Sequence, residues 1–485
     1  MSKRKKILLL SDDLRLPSGI GTISKEIVIN TAKHFDWIQL GGALKHPDEG
    51  KLFDVSEDVR RESGVEEANV RIFSISGYGN RNLLFQAINQ EKPDAIFHFT
   101  DPRYWEWLYQ LEHEIKTTFN IPIIYYSIWD DLPYPMWNAP FYGSCDLIMG
   151  ISKQSDNIHR EVLLQNGFGV YDYDLEDNSE HPQLEWDEIV TGYVPHGLNH
   201  NIYKPLDETD ELYTKCFNNI KTNNDIDFLV FWNNRNIRRK NPGDVILAFK
   251  HFRSMLPKDK QDRVGLLMHT QAVDGNGTDL RAIRKAVAPE CKILFSEHRI
   301  SSQELNAMYN VADVVVNIAS NEGWGLSSTE SLLSGTPIIN NVTGGLQDQC
   351  GFLDENNKWI QFNEKFSSNH KGRYKLNHGN WVIPVFPASR SMQGSPQTPY
   401  IFDDRCNFED VAEAIYGWWI TPADQRKKCG EEGRKFCLTH GLTAEAMGDK
   451  MCDMINFLFK YPKENRPKYT LHKTETKQYN EIGIV

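Results

Sequence analysis

Twice along this 485-residue chain, five short apolar runs of strand length alternate with helix-length patterns. Parallel βαβ units leave that signature, because each strand needs a long crossover before the next can pair beside it. The first series is Ile7 to Leu10, Trp37 to Leu40, Ala95 to Phe99, Ile121 to Ser127 and Leu147 to Gly150. The second is Phe228 to Trp232, Val264 to Met268, Lys292 to Phe295, Val314 to Ile318 and Thr336 to Ile339. Two open, doubly wound α/β sheets are expected.

The length exceeds what one core usually holds. A first Rossmann-like domain is expected over 1–200 and a second over 201–440, joined near 196–226 after the acidic stretch from Asp172 to Asp187. The segment 361–400, polar and rich in Ser, Asn and Gly, reads as an insertion outside the core. A helix over 441–460 is expected to pack back on the first domain, followed by a polar tail over 461–485.

With 40% apolar, 11% aromatic and 25% charged residues, the chain does not have the composition of a disordered protein. No apolar run approaches the roughly 20 residues of a spanning helix, and the basic start Met1 to Lys6 precedes too short a run for a signal core. A cytoplasmic protein is expected. Lys plus Arg total 54 against 66 Asp plus Glu, a net charge of −12, so a polyanionic partner would have to dock on a local basic face. The eight Cys form no Cys-x-x-Cys pair and read as buried thiols rather than zinc ligands or disulfides.

The densest motif is Ser320-Asn321-Glu322-Gly323-Trp324-Gly325-Leu326, continuing through Glu330 to Gly335-Thr336-Pro337. Its loop glycines let the backbone approach a ligand, and the helix start after them favours an anion. Alone, Glu322 reads as a helix cap and Glu330 as part of a solvated face. The wider order adds Arg235 and Lys240, five apart after the first strand of the second series, and the pair Gly344-Gly345 downstream.

Strand, Arg-x4-Lys, Glu-x7-Glu, Gly-Thr-Pro and Gly-Gly in this order resemble the retaining glycosyltransferases of the GT4 type, which have the GT-B fold. The resemblance extends to Pro195-His196-Gly197-Leu198-Asn199 with Tyr203-Lys204-Pro205, to Cys145 through Lys153, and to the turn Ser18-Gly19-Ile20-Gly21. It implies two Rossmann-like domains facing a cleft and a nucleotide-diphosphate sugar, a UDP-sugar, as donor substrate. No permanently bound cofactor and no catalytic metal are implied.

By that resemblance Arg235 and Lys240 neutralise the departing diphosphate, Glu322 contacts donor-sugar hydroxyls and Glu330 holds the ribose. Backbone around Gly323, Trp324, Gly325 and Leu326 faces the sugar, and Gly19 to Gly21 approaches the diphosphate from the first domain. Two acceptor-side candidates end strands of the first series. His98 reads equally as a substrate contact or a hydrogen-bonded core histidine, and Asp130 as a hydroxyl ligand or a helix cap. The acid pairs Asp12-Asp13, Asp130-Asp131 and Asp403-Asp404 read as surface features more than as metal ligands.

The opening Ser11 to Gly21 resembles glycosyltransferases encoded by tailed bacteriophages, which implies 5-hydroxymethylcytosine in DNA as acceptor. Arg238-Arg239-Lys240, Arg426-Lys427-Lys428, Arg434-Lys435 and Lys365, Lys371, Arg373 and Lys375 could form a phosphate-tracking rim or merely solvated faces. A saccharide or lipid-linked acceptor, a nucleotide-sugar epimerase and a catalytically silent binding protein are the alternatives.

Overall fold

The computed structural model describes residues 4–44, 49–175, 184–185, 188–360, 362 and 376–461. The basic residues Lys365, Lys371, Arg373 and Lys375, most of the acidic stretch after Leu175 and the tail beyond Tyr461 lie outside the described residues.

The first lobe is a nine-stranded sheet. Its strands are β1 (Lys5–Asp12), β2 (Phe35–Leu44), β3 (Leu52–Asp54), β4 (Val70–Ser76), β5 (Ala95–Phe99), β6 (Ile123–Ser127), β7 (Leu147–Gly150), β8 (Gly169–Asp172) and β9 (Glu188–Tyr193). They lie in the order β3-β4-β2-β1-β5-β6-β7-β9-β8, all parallel to their neighbours except β3. In β1, Ile7 and Leu9 enter one apolar cluster, and Leu8 and Leu10 enter another on the opposite face. Both faces are thus covered, as a near-continuous apolar strand of a parallel sheet requires.

The second lobe is a six-stranded parallel sheet of β10 (Phe228–Asn233), β11 (Val264–His269), β12 (Ile293–Ser296), β13 (Val314–Asn317), β14 (Ile338–Asn341) and β15 (Val382–Val385). Its order is β12-β11-β10-β13-β14-β15, the doubly wound Rossmann arrangement with a switch point between β10 and β13. All ten strand runs legible in the sequence form strands of these two sheets.

One expectation is overturned. The polar segment 361–400 was expected outside the core, yet β15 lies within it and pairs with β14, with Val382 and Val385 buried. Pro384 in β15 obscures the run, and it is tolerated because β15 is an edge strand. An antiparallel hairpin follows, β16 (Ser389–Ser395) and β17 (Thr398–Arg405). It reaches the first lobe: Phe402 N donates to Leu132 O at 2.7 Å, and the Tyr400 hydroxyl to Tyr134 O at 3.2 Å.

The chain crosses between lobes near Gly197 and returns near Thr443, and the two crossings touch. Leu198 bridges to Thr443, and a Cβ on Gly197 would fall 2.0 Å from Thr443 O. After the return, the Ala444–Lys460 helix lies against the first lobe, where a Cβ on Gly448 would come 2.7 Å from Asn30 Cβ. Phe457 stacks on Tyr171 at 5.3 Å, and the Phe459 ring meets Phe35 at 6.5 Å. Among the described residues no helix is long and apolar enough to cross a membrane. All eight thiols are free, and all but Cys216 are buried.

Candidate active site

Ligands of open α/β sheets bind beyond the carboxyl ends of the strands at the switch point. In the second lobe the loops leaving β10 and β13 diverge there, and they carry Lys240 and Glu322. Lys240 ends a short turn, Arg238–Lys240, before the Pro242–Met255 helix. Its ammonium pairs directly with Glu322 Oε2, and the two residues are 7% and 8% exposed, so the ion pair is a buried one. Arg239 Nη1 stands 3.5 Å from the same carboxylate and donates to Asn321 O at 2.5 Å.

The Gly344-Gly345 pair shapes this loop from beneath. Gly344 has φ +49°, and a Cβ there would sit 2.1 Å from Glu322 O. Gly345 N donates to Glu322 O at 2.9 Å, and its Cβ would come 2.2 Å from Gly323 O. Gly325, at φ +91°, starts the Leu326–Leu333 helix, which is buried from Ser327 to Leu333. The Trp324 indole donates to Thr329 Oγ1 at 2.9 Å and packs in the core, leaving backbone at the cleft.

Glu330 lies on that helix and is buried. It accepts from Tyr309 Oη at 2.5 Å, Tyr203 Oη at 3.2 Å and Asn233 Nδ2 at 3.3 Å. Burial raises its pKa, against the lowering pull of these three donors. An acceptor-rich carboxylate ringed by hydroxyls is well suited to hold a diol.

The first lobe supplies the facing wall. Ser18 caps the helix Gly19–Thr31 by accepting from Gly21 N at 3.0 Å, and a Cβ on Gly21 would strike Leu16 O at 2.4 Å. A Cβ on Gly19 would lie 3.6 Å from Leu326 Cδ1, so the glycine turn meets the start of the Leu326–Leu333 helix across the cleft. Asp130 and Asp131 follow β6. Burial raises both, Asp131 further because Asp130 is beside it, while Arg239 pulls both down. Asn321 Nδ2 donates to Asp131 Oδ1 at 2.6 Å. Burial and the Arg239 guanidinium push Lys240 downward, and the Asp130 carboxylate opposes them.

A second buried contact joins the lobes. Lys153 N donates to Asp348 Oδ2 at 3.0 Å. Burial pushes Asp348 up to about 7 and Lys153 down to about 8. Beside the glycine turn, a groove of about 1100 Å³ opens between the lobes, lined by Lys25 and Glu26 from one side and Arg299, Ser301 and Gln303 from the other.

Burial pushes Glu26 up to about 7, opposed by Lys25 and Asn30 and reinforced by Glu445 and Glu62. A carboxyl whose folded pKa exceeds its unfolded value binds more protons when folded, so its stabilising share is lost as pH rises through that window. Glu26→Gln is expected to flatten the fall of melting temperature between about pH 4.5 and about pH 7.5. Parallel slopes for variant and parent would refute this.

Several candidates lie elsewhere. Arg235 points to Asp274, with Nε 3.0 Å from Oδ2 and its side chain 63% exposed, while Arg239, the residue before Lys240, occupies the place beside Glu322. His98 is a core residue and not an acceptor contact: it is 0% exposed, bonded to Tyr109 Oη at 2.6 Å and stacked on Tyr125 at 5.1 Å. Burial drives its pKa down to about 3. Two members of the basic rim are spent internally, Arg426 on Asp313 and Arg434 on the carbonyls of Tyr203, Leu333 and His200. The acid pair Asp403-Asp404 is engaged by Arg238 and Arg390.

The sequence pattern placed Asn321 in the densest motif and Arg239 in a basic rim without giving either a role beside Glu322, and it did not mark Asn233 or Tyr309. Asn233 closes β10 immediately before the Arg-x4-Lys loop, and that position was the available signal.

No family model matches the chain. The curated trehalose synthase of Pyrococcus horikoshii is 28% identical over 116 residues, 23% of this chain, and that of Thermococcus litoralis is 26% identical over the same length. The match spans only 28% of the length of these relatives. Solved structures match over nearly the whole chain. HepE of Anabaena, in complex with UDP and glucose, is 12% identical with a TM-score of 0.59, covering 93% of this chain and 100% of that one. Sucrose-phosphate synthase from Thermosynechococcus elongatus is 15% identical with a TM-score of 0.60, over 94% and 100%. The α,α-trehalose 6-phosphate synthase of Burkholderia multivorans is 11% identical with a TM-score of 0.60, over 94% and 99%. With two parallel sheets whose strand ends meet across one cleft, this chain has the GT-B fold of two Rossmann-like domains.

Proposed function

We propose that the protein is a retaining glycosyltransferase that moves a sugar from a UDP-sugar to an acceptor hydroxyl, with 5-hydroxymethylcytosine in DNA as that acceptor. The observation that carries the reading is the buried Lys240–Glu322 pair beside Arg239 at the switch point, with Glu330 one helix away. Solved neighbours of the same fold include one in complex with UDP-glucose.

Cleavage of the bond between the sugar C1 and the diphosphate oxygen builds negative charge on that oxygen, so fixed cations stabilise the transition state. Lys240 and Arg239 stand ready, and the exposed Arg235 side chain can leave Asp274 at little cost. Glu322, released from Lys240 by the diphosphate, accepts from the sugar hydroxyls, and Glu330 accepts from the ribose diol. The acceptor oxygen bonds to C1 on the face the diphosphate leaves, and the acceptor proton passes to the departing phosphate oxygen.

Incubation with labelled UDP-sugars and hydroxymethylcytosine DNA, followed by mass measurement of the product, tests the reading. A sugar-sized mass increment on the nucleoside supports it, and transfer to an oligosaccharide alone refutes the DNA acceptor. A saccharide acceptor is the second reading, favoured by the sucrose-phosphate and trehalose-phosphate synthases among the solved neighbours. Glu330→Gln is expected to weaken UDP affinity by about tenfold, the scale of a hydrogen bond to a charged group. Unchanged UDP titrations would remove Glu330 from the ribose site.

A further inference from the structure

Asn321 stands where three parts of the chain meet, and the function proposed above gives it no task. It directly precedes Glu322 in the loop leaving β13 and is 6% exposed. Its carboxamide carries two N–H donors, and both are spent outside its own loop. Nδ2 donates to Asp131 Oδ1 in the first lobe at 2.6 Å and to Phe402 O in the hairpin. Oδ1 accepts from the Ser320 hydroxyl at 3.2 Å, and the main-chain oxygen accepts from Arg239 Nη1.

The hairpin is fastened to the second lobe at its base. Asn341 Nδ2 donates to Asp404 O at 2.9 Å, Thr343 Oγ1 to Asp404 Oδ2 at 2.9 Å, and Asp404 N to Ser320 O at 3.1 Å. Further along it meets the first lobe, where the Tyr400 ring stands edge-on to Trp137 at 4.4 Å. The loop after Asn321 touches that lobe as well: a Cβ on Gly323 would come 3.0 Å from Ile151 Cδ1 and 3.1 Å from Ile128 O. Behind the loop, the Gly345 N–H donates to Glu322 O. Asn321 is therefore the side chain through which both the first lobe and the hairpin hold the neighbour of Glu322. Glu330 takes its donors from Tyr309, Tyr203 and Asn233 and shares none of them with Asn321.

We propose that Asn321 is a positioning residue for the donor sugar: with Asp131 and Phe402 O as its fixed points, it sets the Glu322 loop when the lobes are together and releases it when they part. This rests on the glycosyltransferase reading and gives it a means of confining bond cleavage to the closed cleft. A side chain with all its donors engaged is locked in one rotamer, and such a shell keeps a contact residue in its productive place. Parting the lobes removes the Asp131 bond and the Gly323 contact together, while the Glu330 cluster is untouched. The sugar is thus gripped only in the closed form, and the nucleotide binds in either.

Two readouts on the full chain test this. In the ligand-free protein, hydrogen exchange is followed at Gly345, whose N–H reports the placing of Glu322 O, with β10 and β13 as the core reference. Asn321→Ala and Asp131→Ala are each expected to speed exchange at Gly345 by about tenfold, the scale of a hydrogen bond to a charged group. The double variant should be no faster than Asn321→Ala, because the two side chains share one bond. Asp131→Asn keeps an acceptor oxygen of the same shape and is expected to hold Gly345 near the parent's rate. In turnover, UDP release is measured from a panel of labelled UDP-sugars, beside calorimetric titration of UDP. Asn321→Ala is expected to lower kcat by about 10-fold to 100-fold, the usual cost of a misplaced contact group, with UDP affinity unchanged. Parent-like exchange at Gly345 in either alanine variant would overturn the inference. So would exchange raised equally in the core strands, an additive double variant, or a kcat equal to the parent's. A parent that consumes no UDP-sugar overturns the transfer reading instead, and exchange at Gly345 still decides whether Asn321 ties the loop.

Discussion

Replacing Lys240 by methionine is expected to lower turnover by about 100-fold to 1,000-fold, the usual loss when one positioned donor to a developing oxyanion is removed. The same change leaves the Glu322 carboxylate buried with Arg239 at 3.5 Å as its remaining cation. Breaking a buried pair from one side costs about 3–5 kcal/mol, so the variant should also melt at lower temperature. Stability and catalysis can be separated by adding Glu322→Gln. The double variant presents two neutral groups of similar shape, which buried sites tolerate well, and should regain much of the lost melting temperature. Its turnover should stay low, because the leaving diphosphate still lacks the ammonium. Full activity in either variant would refute the catalytic role, and a double variant no more stable than Lys240→Met would refute the ion-pair account.

Ending the chain after Thr443 should prevent the first lobe from folding at all. The deleted helix buries Met447, Met451, Cys452, Met454, Ile455, Phe457 and Leu458. At about 1.5–3 kcal/mol for each fully buried side chain, these represent on the order of 10–20 kcal/mol, an upper estimate. Net stabilities of whole domains are about 5–15 kcal/mol. The shortened protein is therefore expected in the insoluble fraction, or soluble without a cooperative melt. A cooperative melt at the parent's temperature would show that the helix is dispensable.

The apolar strands were legible because burial on both faces leaves an uninterrupted signal, as in Ile7 to Leu10 and Phe228 to Trp232. β16 was not, since Ser389 to Ser395 holds no apolar run and is maintained by main-chain pairing with β17. β15 was hidden by Pro384 and its polar flanks. In the site, Lys240, Glu322 and Glu330 were marked by the order of several motifs together and its resemblance to the GT4 type, since the Glu pair alone reads as surface residues. Asn321 and Asp131 are 190 positions apart, and no local pattern announces that they meet. The same holds for Tyr309, whose role depends on where its helix docks against Glu330. His98 shows the limit from the other side: its place at a strand end looked accessible, and only the packing of Tyr109 and Tyr125 shows it sealed.

The hairpin that joins Phe402 and Tyr400 to Leu132 and Tyr134 fastens the lobes at a point separate from their paired chain crossings. Under the proposed sugar transfer, opening of that clasp is expected to precede nucleotide release. Loosening the clasp, for instance by shortening Tyr400, would speed departure while admitting water to compete for the sugar.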